Sequence, residues 1–254
     1  MSIWIVGGTR DSAIIASAIS AVTSNYAITV TTPEARQLYE AACNVIVGKM
    51  NQKSMVQFCD RYRIRVIVDA SHPFASEVSQ KAIATARLLD IPYIRYERAK
   101  IARSTSFPYR ELDSFDTLLQ GDYLLGHRVL LTVGCQVLPQ FQSWQKRATL
   151  FARVLPKLDS VKMALDSGFS SDRIVALRPP ITEALEKALW QQWKLSLVVT
   201  KASGTPGGED IKLRVAEQLG TSLIAIARPE MVYPRQTEAL QTIIEFCLRY
   251  CSNC

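Results

Sequence analysis

The sequence predicts an α/β fold of two units, each a parallel sheet flanked by helices. Three observations carry this. Residues 1–96 alternate short apolar runs with amphipathic helical stretches, and residues 126–254 repeat the alternation. Between them, 97–125 opens on a basic segment that breaks the rhythm. Regular strand–helix alternation argues for parallel sheets covered on both faces.

The elements follow in order. Ile3–Val6 is a continuous apolar run, as in a buried parallel strand. Gly7-Gly8-Thr9 turns the chain into a small-residue helix over about 10–22. Strands are expected at 27–31 and 44–47. Met55, Phe58, Cys59 and Tyr62 fall on one helical face, which predicts a helix over 53–62. Val66–Val68 is a strand ending at Asp69, followed by a helix over 75–89 and a strand over 92–95. Residues 95–110 carry Arg95, Arg98, Lys100, Arg103 and Arg110 against Glu97, with Pro108. They read as a hinge or as a solvated loop. Beyond it, strands are expected at 128–133, 150–155, 174–177, 195–200 and 222–227. Helices are expected at 182–193, 211–219 and 236–250, the last able to pack on either unit.

A chain of 254 residues buries a substantial core without metal or disulfide staples. No apolar run reaches the ~18–20 residues of a membrane span, and no signal peptide is visible at the start. The cytoplasm is the expected address. Lys plus Arg is 30 and Asp plus Glu 23, a formal charge of +7. That excess suits an anionic partner, or is a solvated surface bias. No nucleic-acid-binding motif accompanies it, so a small polyanion such as a nucleotide or a polycarboxylate fits better. Cys43, Cys59, Cys135 and Cys247 sit in apolar surroundings and read as small core residues. Cys251 and Cys254 form one CxxC with no second half-site, so no metal is expected.

Ligands of open parallel sheets bind beyond the carboxyl ends of the strands, and three segments stand there. Gly7-Gly8-Thr9-Arg10-Asp11-Ser12 places glycines before a helix N-terminus, where backbone amides can meet a phosphate. It lacks the third glycine of the full fingerprint, and a tight turn without ligand is the alternative. The second strand ends in Thr31-Thr32 with no carboxylate at its tip. An acid there would hold the ribose of NAD; its absence leaves room for NADP, with Arg10 or Arg36 as phosphate partners. Asp69-Ala70-Ser71-His72-Pro73-Phe74-Ala75 puts an acid, a hydroxyl and an imidazole on one turn. His72 could donate a proton or bind a ligand, while Asp69 and Ser71 could serve as helix caps. With two histidines, the other His127, and no GxSxG elbow, a serine hydrolase is hard to build. Lys201-Ala202-Ser203-Gly204, with Gly207, Gly208 and Lys212, makes a second anion site or an ordinary glycine-rich loop.

Together these segments resemble a known family. GGTRDS at 7–12, DASHPFA at 69–75, IPYIRYER at 91–98, LLTVG at 130–134, KASG at 201–204 with Lys212, and IARP at 226–229 occur in this order in precorrin-6A reductases. The resemblance spans almost the whole chain. It implies two Rossmann-like domains with a reduced nicotinamide nucleotide in a cleft between them. It implies hydride transfer to C19 of the macrocycle, reducing the C18=C19 bond of precorrin-6A or its cobalt form to the 6B product in cobalamin biosynthesis. NADPH is the expected cofactor, with NADH the alternative, because Thr32-Pro33-Glu34-Ala35-Arg36 replaces a glycine-containing turn of many members. The cofactor positions would be Gly7, Gly8, Thr9, Arg10, Arg36, Ser71, His72, Pro73 and Phe74. Arg98, Lys201, Ser203 and Lys212 would hold carboxylates of the tetrapyrrole, and His72 or Lys201 would serve catalysis. Neighbouring corrin-pathway enzymes are the protein partners it suggests. The alternatives are a nucleotide-independent tetrapyrrole enzyme of the uroporphyrinogen-III synthase type and a non-enzymatic dinucleotide sensor.

Overall fold

A computed structural model describes residues 2–39, 44–101 and 107–251. Cys43, Arg103 and Cys254 lie outside them.

The chain begins with β1 (Ile3–Val6), α1 (Arg10–Ser20), β2 (Tyr26–Val30), α2 (Pro33–Arg36) and β3 (Val45–Val47). It continues through α3 (Gln52–Tyr62), β4 (Val66–Asp69), α4 (Ser76–Leu88) and β5 (Tyr93–Tyr96). Next come β6 (Tyr109–Leu112), α5 (Phe115–Gln120) and β7 (Arg128–Leu131). A 3-10 stretch over Cys135–Lys146 follows; Pro139 inside it lacks the amide that a regular helix needs. Then come β8 (Thr149–Val154), α6 (Leu158–Asp166), β9 (Ile174–Ala176), α7 (Glu183–Gln192), β10 (Leu197–Lys201), α8 (Glu209–Leu219) and β11 (Ser222–Ile226). The chain ends with β12 (Gln236–Thr237) and α9 (Leu240–Cys251). No described helix is long and apolar enough to cross a membrane.

Two compact units result. The first comprises the residues up to Ala99 with those from Glu230 onward. Its all-parallel sheet has the order β3-β2-β1-β4-β5-β12, the 3-2-1-4-5-6 order of dinucleotide-binding folds. Side chains alternate across it. Ile3 and Ile5 pack with Ile15, Ile19 and Phe246 on one face, while Trp4 and Val6 pack with Met55, Phe58 and Ile83 on the other. The second unit is Lys100–Pro229. Read from its edge, the sheet runs β9-β8-β7-β10-β11-β6, again parallel. Its strands β7–β11 repeat the order of β1–β5; the sixth strand of the first sheet, β12, comes after the second unit, whereas β6 directly precedes β7 in its own unit.

These units differ from the divisions at 96, 97–125 and 126 in two respects. The stretch expected to be hinge contains β6 and α5. Arg110 and Glu111 of β6 face solvent on an edge strand, so no apolar run marks it. The last helix begins at Leu240 rather than 236, after β12, and packs through Ile243, Phe246 and Cys247 into the core of the first unit. Cys59 and Cys247 are buried as expected, whereas Cys135 is half-buried.

Candidate active site

In the first unit β1 pairs with β2 on one side and β4 on the other, and the strand order reverses there. The register sets Val6 beside Thr29 and Asp69. The turns after β1 and β4 therefore leave the sheet at one level, where ligands of such sheets bind. A groove opens at this point, lined by Gly7, Gly8, Thr31, Thr32, Ser71 and His72 among others. Its polar surface is built from hydroxyls, backbone and one imidazole.

The glycine turn is closely fitted. Gly7 N donates to Thr29 O at 2.9 Å. A Cβ on Gly7 would lie 2.4 Å from Tyr39 Oη and 2.9 Å from Ile28 Cγ2, so the position excludes any side chain. Gly8 adopts φ +101°, with open space where a Cβ would stand. Thr9 caps α1: its Oγ1 accepts from Ser12 N, and Ser12 Oγ accepts from Thr9 N, both at 3.0 Å. Thr9 Oγ1 also donates to Ala70 O at 2.8 Å, which ties the two turns together.

The second turn is held from below by a buried polar network. Asp69 and Arg95 are 0% and 1% exposed and pair at 2.9 Å. Arg95 Nη1 also donates to Ser71 Oγ at 3.0 Å, and Arg95 Nε to Glu97 at 3.0 Å. Asp69 accepts from Ser71 N at 3.0 Å and from Tyr93 Oη at 2.7 Å. The Tyr233 ring lies 5.5 Å from the guanidinium carbon of Arg95. Burial opposes the charge of Asp69, but Arg95 and the hydroxyl bonds outweigh it and hold its carboxyl below the usual range. Asp69 and Ser71 therefore shape the turn rather than cap α4, whose N-cap is Ala75. At the tip, His72 Nδ1 accepts from Phe74 N at 3.2 Å. A neutral ring then carries its proton on Nε2.

In the second unit the strand order reverses between β7 and β10. Lys201 closes β10, half-buried, with Nζ 5.7 Å from the centre of the Phe115 ring. Burial pulls its pKa down. The glycine-rich loop beyond it is self-contained. Glu209 is buried and its carboxylate accepts from Gly204 N at 2.8 Å. Lys212, 3% exposed, donates to the carbonyls of Gly207 and Gly208 at 3.1 and 3.0 Å. A Cβ on Gly207 would strike Ser203 Oγ at 1.9 Å.

Comparison with known proteins decides the family. The precorrin-6x reductase CbiJ/CobK family model matches residues 2–248. A cobalt-precorrin-6A reductase of Synechocystis is 46% identical, covering 98% of this chain and 97% of its own. The chain belongs to the precorrin-6x reductase family. A cobalt-precorrin-6A reductase of Priestia megaterium is 33% identical over 91% of this chain and 92% of its own. A solved structure of CobK precorrin-6A reductase superposes with a TM-score of 0.82, covering 99% of this chain and 98% of that one; at 19% identity it speaks for the fold.

The residues expected to serve a reductase of this family are distributed unevenly. Gly7, Gly8, Ser71 and His72 line the groove. Thr9 and Pro73 are buried behind it, Phe74 is half-buried, and Arg10 and Arg36 are exposed at the starts and ends of α1 and α2. Arg98 was expected to meet substrate, but it is buried and paired with Asp11 on α1. Lys212 was expected to do the same, and its ammonium instead braces its own loop. In the 201–208 loop expected to form a second anion site, the carboxylate of Glu209 takes the Gly204 amide. Sequence reasoning missed Tyr39 and the pairing of Asp69 with Arg95. The only signal for either was a polar residue inside or beside an apolar segment. Among the described residues no cluster of three or more potential metal ligands occurs.

Proposed function

We propose that this protein reduces cobalt-precorrin-6A to cobalt-precorrin-6B in cobalamin biosynthesis. NADPH is the reductant, and C19 receives a hydride while C18 receives a proton. The observation that carries the reading is the groove at the strand-order reversal of a 3-2-1-4-5-6 sheet, with a glycine turn on one side and a hydroxyl-bearing β2 tip on the other. The names of both relatives above favour the cobalt-loaded substrate.

The residues present fit a dinucleotide. The open space at Gly8 lets a phosphate approach the backbone, and Arg10 and Asp11 supply the first-turn amides outside the Thr9–Ser12 box. Thr31, Thr32 and the nearby cation of Arg36 suit a ribose bearing a 2′-phosphate, which a carboxylate would repel. When bound, a reduced nicotinamide supplies the hydride. The protein then orients the reactants and provides the proton. His72 at the groove wall is the proposed donor; it would act as the imidazolium, giving up the Phe74 N bond to Nδ1. Lys201 is the second candidate, since burial eases release of its proton.

Anaerobic single-turnover reduction tests these roles. His72→Ala is expected to slow reduction by about 10²-fold while NADPH affinity changes little. An unchanged rate would remove His72 and pass the role to Lys201, for which Lys201→Met would then show the loss.

A further inference from the structure

Tyr39 enters the glycine turn from the segment after α2. It is 7% exposed, and its hydroxyl accepts from Gly8 N at 2.7 Å and lies 2.6 Å from Ser12 Oγ. The direction of that second bond follows from the hydrogens available. Ser12 Oγ donates to Thr9 O at 2.7 Å, so its one hydrogen is committed, and the phenol hydrogen of Tyr39 goes to Ser12 Oγ. Burial raises the Tyr39 pKa and keeps the phenol neutral, as this arrangement requires. The resulting chain runs from Gly8 N through Tyr39 and Ser12 to Thr9, and Thr9 Oγ1 passes it to Ala70 O. Three strand-end connections around the groove are thereby joined, those after β1, β2 and β4. The steric requirement at Gly7 is set first by this hydroxyl, 2.4 Å from where a Cβ would be.

We propose that Tyr39 is a positioning residue for the cofactor turn. Its hydroxyl holds Gly8 and Ser12 in the shape that presents the remaining first-turn amides to a dinucleotide pyrophosphate. Counted from Gly7, the second and third glycine positions of a GxGxxG fingerprint are Thr9 and Ser12 here, and both belong to the hydrogen-bond chain that Tyr39 completes. The proposal rests on the cofactor reading above.

Tyr39→Phe keeps the ring and removes the contact. Two readouts separate the proposal from the reading beneath it. Hydrogen exchange at the Gly8 amide in cofactor-free protein reports the contact itself, and is expected to speed up by tenfold or more. Fluorescence titration with NADPH reports its consequence: Kd is expected to rise about 2–12-fold, the effect of losing one hydrogen bond at the turn. The rate at saturating NADPH is expected to stay within about twofold, a split that general destabilisation would not produce. Unchanged Gly8 exchange, or unchanged or tighter NADPH binding while the wild type binds normally, would overturn the proposal. A wild-type protein that binds no NADPH would overturn the cofactor reading and this proposal with it. Ser12→Ala serves as the second variant. If the chain is as described, its effect on Kd and that of Tyr39→Phe will not add in the double variant; simple additivity would also overturn the proposal.

Discussion

Arg95→Met is expected to destabilise the first unit by about 3–5 kcal/mol, the cost of leaving a buried charge without its partner. Asp69 has no access to water, and its carboxylate depends on Arg95, Ser71 and Tyr93. The double variant Asp69→Asn with Arg95→Met should recover a large part of the loss, because no bare charge then remains. Chemical denaturation followed by far-ultraviolet circular dichroism gives both numbers. pH supplies an independent sign. The folded Asp69 pKa lies below its unfolded value, so its contribution is complete above the unfolded pKa, about 3.9. It is lost as pH falls toward and through the folded value. In the wild type the contribution should persist to pH 4 and fade below. If the single variant loses under about 1 kcal/mol, the network is not what shapes the turn.

Lys212→Met is expected to act in the opposite direction. The ammonium is buried beside Arg153 as well as Glu186, Glu209 and Asp210, and burial first, then Arg153, brings its pKa down to about 8. Below pH 8 folded and unfolded chains both hold the proton. Between about 8 and the ordinary lysine value near 10.4, the unfolded chain binds a proton that the folded chain lacks, so stability rises with pH. The penalty at neutral pH is about 3 kcal/mol on that difference. Methionine removes it, along with two hydrogen bonds to the Gly207 and Gly208 carbonyls that contribute about 1 kcal/mol each. At pH 7 the variant should therefore be more stable by about 1 kcal/mol. The wild type should overtake it as pH approaches 10. Trp144, Trp190 and Trp193 lie in this unit, so tryptophan fluorescence follows its unfolding. A stability difference that stays constant from pH 7 to 10 would contradict the assignment. The lysine's hold on the loop explains why a residue that costs stability sits there.

Both residues show why parts of the molecule were legible in the sequence and others were not. The parallel strands β1, β4, β10 and β11 announce themselves because both faces are buried and the residues run apolar without a break. The turns at 7–12 and 69–75 stand out because glycine, proline and polar residues interrupt such runs at strand ends. Arg95 was read both as the end of a strand and as the first charge of a basic segment; its place on β5, beside the buried Tyr93 and Ile94, agrees with the strand, but its burial and pairing were not legible. Its partner Asp69 is 26 residues away, and sequence periodicity carries no information about a pair at that distance. Tyr39 meets Gly8 across 31 residues and was missed for the same reason. α6 escaped notice because Ser160 and Ala164 are its buried residues while Leu158 and Leu165 are exposed, which inverts the usual stripe. Lys212 was read as part of an anion site; only the fold of Gly204–Gly208 around it reveals that its ammonium is interior and bound to its own loop.

The proposed activity is reduction of a corrin precursor by a nicotinamide nucleotide. An anaerobic assay decides it in four mixtures: NADPH or NADH, each with metal-free or cobalt-loaded precorrin-6A. Loss of the reduced cofactor's near-ultraviolet absorbance is followed in each. The fastest oxidation is expected with NADPH and cobalt-precorrin-6A, with one reduced cofactor consumed per macrocycle. No oxidation in any of the four, with the protein folded, would contradict it.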